Sequence, residues 1–204
     1  MNDFGLCMII TRPKLSYADV ARSCVACGVS YLQLREKDLS DREILDAAAE
    51  VLSVTRGTQT KFIMNDRADL ALLSEADMLH LGQGDVSLED ARRIVGDMPI
   101  GLSTHSLEQA REALAQSPSY IGFGPVYPTT TKAIADPTVG TELLGEVLKF
   151  ADVPVIAIGG IFPENVESVT KVGARNICLV RHLMECESRE ELERRIVELQ
   201  DALN

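Results

Sequence analysis

The chain has 204 residues, 46% of them hydrophobic and 25% charged, the balance of a globular protein with one domain and a substantial core. Its formal net charge of −11 argues against non-specific nucleic-acid binding, which needs a basic footprint. No apolar run approaches the roughly 20 residues needed to span a bilayer, so no membrane partner is expected. The start, Met1-Asn2-Asp3-Phe4-Gly5, has no basic region of the kind a signal peptide carries. The five cysteines are scattered through apolar segments. Cys24-Val25-Ala26-Cys27 has C-x-x-C spacing but no second pair to complete a zinc site, and reads as small residues buried in a helix. Reduced thiols and a cytoplasmic location are expected.

Short apolar runs alternate with amphipathic stretches along the whole chain. Strands are predicted over 6–11, 30–34, 61–64, 78–81, 100–103, 120–123, 154–158 and 176–180. They are mostly continuous apolar runs, as in a parallel sheet covered on both faces. Helices are predicted near 16–27, 40–56, 67–74, 87–95, 106–116, 140–150, 163–171 and 188–202. Ser40 with Glu43, Ser87 with Asp90 and Ser188 with Glu191 mark helix starts, and Gly28 and Gly173 follow helix ends. Eight β–α units in a single domain over 1–204 predict a (β/α)8 TIM barrel with its active site at the C-terminal ends of the strands. A doubly wound open sheet is the alternative, but it usually carries glycines after its first strand, where Thr11-Arg12-Pro13 stands here.

The strand ends hold the chemistry. After the second strand, alternation puts Gln33, Arg35 and Lys37 on one side, an amide and two cations at a barrel mouth or else a solvated loop. Asp66 follows the third strand and Asp85 the fourth, on loops that can converge. Two carboxylates together with substrate phosphates suit magnesium, although an Asp after a strand also serves as a helix cap. The fifth strand ends in Ser103-Thr104-His105. His105 is either a general base or structural, and His80 is expected to pack or hydrogen-bond near the site. After the sixth strand comes Gly124-Pro125-Val126-Tyr127-Pro128-Thr129-Thr130-Thr131-Lys132, whose hydroxyls, amides and ammonium suit an anion. Gly159-Gly160 after the seventh strand, entering a helix at Pro163, and Val180-Arg181 after the eighth occupy the usual phosphate site of such barrels. The reading is two anion sites: a cationic, metal-capable one at strands 2–4 and an amide-lined one at strands 7–8. Two phosphorylated ligands meeting at one mouth suggest a transferase with an anionic leaving group.

These motifs, in this order, resemble those of the thiamine-phosphate synthase (thiamine-phosphate pyrophosphorylase) family. The likeness covers Gln33-Leu34-Arg35-Glu36-Lys37, Asn65-Asp66, His80-Leu81-Gly82-Gln83-Gly84-Asp85, Gly101 to His105, Gly124 to Lys132 and Ala157 to Ile161. The resemblance implies condensation of a hydroxymethylpyrimidine diphosphate with a hydroxyethylthiazole phosphate, with loss of pyrophosphate. It implies that the Gln33–Lys37 segment (with Leu34 and Glu36), Asn65 and Lys132 hold the pyrimidine diphosphate. It implies that Asp66 and Asp85 bind Mg2+ and that Ser103 contacts the pyrimidine. Thr129, Thr130, Thr131, Gly160, Val180 and Arg181 then face the thiazole phosphate. Arg35, Lys37, Lys132 and Ser103 are the expected catalytic set, by leaving-group stabilisation and positioning. The chain departs from the family at Arg181, where a small hydroxyl residue is usual. A thiazole tautomerase on the same barrel and a non-catalytic phosphate binder are the rival functions. The tautomerase typically has His where Pro125 stands. The expected partners are small phosphorylated substrates, and the sequence leaves a homo-oligomer open.

Overall fold

A computed structural model describes residues 5–129 and 137–203 of the chain, except the side chain of His182. Eight strands alternate with helices from end to end. The strands are β1 Leu6–Ile10, β2 Tyr31–Leu34, β3 Lys61–Asn65, β4 Met78–Leu81, β5 Ile100–Thr104, β6 Tyr120–Phe123, β7 Val155–Ile158 and β8 Asn176–Leu179. The helices are α1 Tyr17–Ala26, α2 Asp41–Thr55, α3 Ala68–Ser74, α4 Leu88–Val95 and α5 Leu107–Ala115. They continue as α6 Gly140–Phe150, α7 Val166–Lys171, α8 Arg181–Met184 and α9 Arg189–Leu203. The strands pair in sequence order, all parallel, and β1 closes the barrel onto β8 with Cys7 opposite Cys178. The (β/α)8 expectation is met, and the open-sheet alternative is excluded by that closure.

The alternation of each strand divides the apolar side chains into two cores. Met8, Leu32, Phe62, Leu79, Ile121 and their neighbours point outward and are buried against the helices. Cys7, Ile9, Ile63, Met78, Tyr120, Ile156 and Cys178 point inward and fill the barrel. This is why the strands read as unbroken apolar runs: neither face of the sheet meets water.

Local signals hold at the helix ends. Ser40 makes a reciprocal capping box with Glu43, and Ser87 and Ser188 accept from the amides of Asp90 and Glu191. Gly28 and Gly173 take positive φ after their helices, at 68° and 101°. Two expectations are corrected. No helix begins at Pro163. The Asn165 side chain instead accepts from Phe162 N at 2.9 Å and donates to Gly160 O at 2.9 Å, so the chain turns there and α7 starts at Val166. The short helix α8, directly after β8, was not expected either, because four residues are too few to show a helical apolar period. The five cysteines are free thiols and four are buried. Cys24 lies against the Met8 sulfur at 3.8 Å, so the C-x-x-C spacing is packing. Among the described residues no helix is long and apolar enough to cross a membrane.

Candidate active site

The C-terminal ends of the strands surround a cavity of about 890 Å³. Its floor is made by the last inward-facing residue of each strand, including Gln33, Asn65, His80, Ser103 and Cys178. Its walls are the loops that follow. Of the predicted site residues, Gln33, Arg35, Lys37, Asn65, Asp66, Asp85, Ser103, Thr129, Gly160, Val180 and Arg181 all line it. Thr130, Thr131 and Lys132 lie outside the described residues. Leu34 and Glu36 are not brought to the cavity. Leu34 has the opposite strand parity to Gln33 and is buried in the outer core, 1% exposed. Glu36 turns away to accept from the Arg12 amide at 2.7 Å and the Tyr17 hydroxyl at 2.8 Å, which ties β1 and α1 to the end of β2.

On the β2–β4 side, charge is concentrated. Lys37 pairs directly with Asp66. Asp66 sits at a φ of 63°, a left-handed conformation that an Asp tolerates, and its amide donates to His80 O at 2.7 Å. Its Asp85 neighbour is anchored through Oδ2, which accepts from Gly82 N at 2.7 Å. The two carboxyls are close enough to perturb each other. Burial disfavours the charge on Asp66, but hydrogen bonds with Asp85 and Lys37 and the charges of Lys37 and Arg35 outweigh it and hold the carboxyl below its usual range. Asp85 is pushed up, first by burial and then by Asp66. Among the described residues there is no cluster of three or more His, Cys, Asp or Glu able to hold a metal. A cation at Asp66 and Asp85 would therefore take its other ligands from water and phosphate, a donor set that fits magnesium and not zinc.

On the β6–β8 side, the wall is backbone. Gly159 and Gly160 both take positive φ, 98° and 64°. A Cβ on Gly160 would stand 2.7 Å from Pro128 O, and one on Gly159 would stand 2.5 Å from Pro125 Cα. The close approach these glycines allow is that of the protein's own β6 loop, rather than only a ligand. Val126 N donates to Ile158 O at 2.9 Å and Tyr127 N to Gly159 O at 3.0 Å, so the two loops form one wall. Arg181, the first residue of α8, lines the cavity as well.

Four further residues complete the site. Arg12 and Asp38 lie at the rim and pair at 3.2 Å. Gln83 donates to Ser103 O at 2.6 Å, and Phe162 lines the β7 side. Arg12 is marked in the sequence only by its place after the first strand, where an open sheet would carry a glycine. His105 lines the cavity as well, and its Nδ1 meets Gly124 O at 2.5 Å. With Arg12, Arg35, Lys37 and Arg181 around one cavity, an acidic protein gathers cations at one place, as an anion site requires.

A closed barrel with a cationic, carboxylate-bearing pole and a glycine-built pole at one mouth defines a (β/α)8 enzyme fitted to anionic small molecules. Comparison makes the assignment specific. The family profile for thiamine monophosphate synthase matches residues 7–183. A thiamine-phosphate synthase of Halalkalibacterium halodurans is 38% identical over 192 residues, 92% of this chain and 90% of that protein. One from Pelotomaculum thermopropionicum is 41% identical over 174 residues, 84% of this chain and 79% of that protein. The solved thiamine phosphate pyrophosphorylase of Pyrococcus furiosus superposes with a TM-score of 0.88 at 31% identity, covering 99% of this chain and 96% of that one. The chain belongs to the thiamine monophosphate synthase family, and its enzyme class is that of the thiamine-phosphate synthases, transferases of thiamine biosynthesis. At 16% identity, a geranylgeranylglyceryl phosphate synthase of Thermoplasma acidophilum shares the barrel, with a TM-score of 0.74.

Proposed function

We propose that this chain joins 4-amino-2-methyl-5-hydroxymethylpyrimidine diphosphate to hydroxyethylthiazole phosphate, forming thiamine phosphate and releasing pyrophosphate. The observation that supports it is the pairing, in one cavity, of the Arg35–Lys37–Asp66–Asp85 group with the Gly160–Arg181 wall. The first suits a diphosphate and the second a monophosphate, so the two substrates meet end to end.

The reaction needs no protein nucleophile. The bond from the pyrimidine methylene carbon to the diphosphate oxygen breaks, and its electron pair leaves with pyrophosphate. The ring amino group stabilises the resulting cation, and the thiazole nitrogen lone pair forms the new C–N bond. Such a step depends on positioning and on charges set in advance where the leaving group develops its own. Arg35 and Lys37 supply that charge, Lys132 being the third expected cation. Asn65 and Gln33 orient the pyrimidine diphosphate, Ser103 the ring, and Gly160, Thr129 and Arg181 the thiazole phosphate. Asp66 and Asp85 would hold magnesium, whose charge would neutralise the departing diphosphate.

The test is incubation with both substrates and magnesium. Thiamine phosphate and pyrophosphate should appear together, and chelation should stop both. Arg181→Ser, which restores a small hydroxyl, should raise KM for the thiazole phosphate and leave that for the pyrimidine diphosphate nearly unchanged. Gain of activity by Arg181→Ser from a silent parent would instead make the natural chain a phosphate binder.

A further inference from the structure

A hydrogen-bonded chain leads from the cavity down into the barrel. Ser103 Oγ lies 2.8 Å from His80 Nε2, and His80 Nδ1 lies 2.9 Å from the Tyr120 hydroxyl. The barrel is built around this chain. β5 and β6 each place a glycine where an inward side chain would stand. A Cβ on Gly101 would lie 2.0 Å from Tyr120 Cζ, so the ring requires glycine there, whereas one on Gly122 would make only ordinary contact, 3.6 Å from His80 Cε1. The imidazole and phenol rings stack at 5.5 Å between centroids. Tyr120 is 3% exposed and packs among Cys7, Ile63, Met78 and Cys178.

Burial on this scale decides which way the protons point. The hydrogen bond the phenol makes is to His80 Nδ1. Of the buried side chains it packs among, Cys7, Met78 and Cys178 offer only sulfur, a weak acceptor, and Ile63 and Ile156 offer none. A buried O–H left without an acceptor is costly, whereas a phenol oxygen accepting nothing is cheaper. Tyr120 therefore donates, Nδ1 accepts, and the imidazole proton stands on Nε2. Nε2–H donates in turn to Ser103 Oγ. With a lone pair so occupied, the serine O–H is free to point into the cavity as a donor.

We propose that Tyr120 is a positioning residue: through His80 it makes Ser103 a hydrogen-bond donor, so that the site reads an acceptor, such as an sp2 ring nitrogen, on the pyrimidine. This rests on the synthase reading for its substrate, but not for its geometry.

Two measurements test it on the full chain. In the free protein labelled with 15N-histidine, NMR should show His80 as the Nε2–H tautomer, assigned by the signal lost in His80→Gln. The Nδ1–H tautomer would overturn the proposal, whatever the enzyme's activity. In kinetics, Tyr120→Phe keeps the ring in its place and should raise KM for the pyrimidine diphosphate about two- to tenfold, the loss of one hydrogen bond's worth of order. KM for the thiazole phosphate should not move, and in a Ser103→Ala background Tyr120→Phe should add nothing. An equal further rise in that background would show that Tyr120 is only packing. An inactive parent with the Nε2–H tautomer intact would sink the synthase reading and leave the proton arrangement standing.

Discussion

The two poles of the mouth are built from different material. At β2–β4 the site is made of side chains: Arg35, Lys37, Asp66 and Asp85 present charge on short loops, and Lys37 is paired with Asp66. At β6–β8 it is made largely of backbone, with Gly159 and Gly160 in left-handed conformations and the Val126–Tyr127 amides laced to the β7 end. The difference teaches how each pole fails. A side-chain pole loses chemistry when one group is removed, and the fold tolerates the loss because loop charges are not core. A backbone pole has little side chain to delete, and it is damaged by adding atoms.

The largest expected effect is at the first pole. Asp66→Ala or Asp85→Ala should lower turnover on the order of 100-fold or more, the scale of removing a preorganised charge-stabilising group. The melting temperature should hardly change. Full activity of both variants at limiting magnesium would remove the metal assignment and with it the contrast between the poles.

A smaller effect is expected from Gly160→Ala. The added Cβ meets Pro128 O at 2.7 Å, at a φ of 64°. Stability should fall by about 1–3 kcal/mol, as for an overpacked or strained position, and KM for the thiazole phosphate should rise with little change for the pyrimidine diphosphate. Thermal unfolding and separate KM values would show it. A normal Tm with normal kinetics would mean that the β7 turn is not a wall of the site.

The smallest effect near neutrality is a pH dependence confined to the first pole. Metal binding needs both carboxyls ionised. Burial and Asp66 push Asp85 above its ordinary 3.8, so it takes up a proton sooner on acidification than a free Asp would. Apparent magnesium affinity should therefore weaken as pH falls, by up to about tenfold per unit once Asp85 titrates. In Asp85→Asn that slope should disappear, which a magnesium titration at several pH values would reveal.

The same contrast runs through what could be read beforehand. Composition and the period of the apolar runs determined the eight β–α units, because a parallel sheet buried on both faces leaves strands without polar alternation. Side-chain chemistry at strand ends was legible too. Gln33, Arg35 and Lys37 share a parity, and Asp66 and Asp85 sit one strand apart. Parity also shows why Leu34 is buried in the outer core: Leu34 neighbours Gln33 in sequence yet points to the opposite face of β2. What only the tertiary structure decided depends on neighbours distant in the chain. Gly160 is required by Pro128, Gly101 by the Tyr120 ring, and Glu36 is drawn off the mouth by Arg12 and Tyr17. The Ser103–His80–Tyr120 chain joins three strands that no local pattern links. A residue's type and spacing set what it can do, but barrel closure sets which atoms it meets.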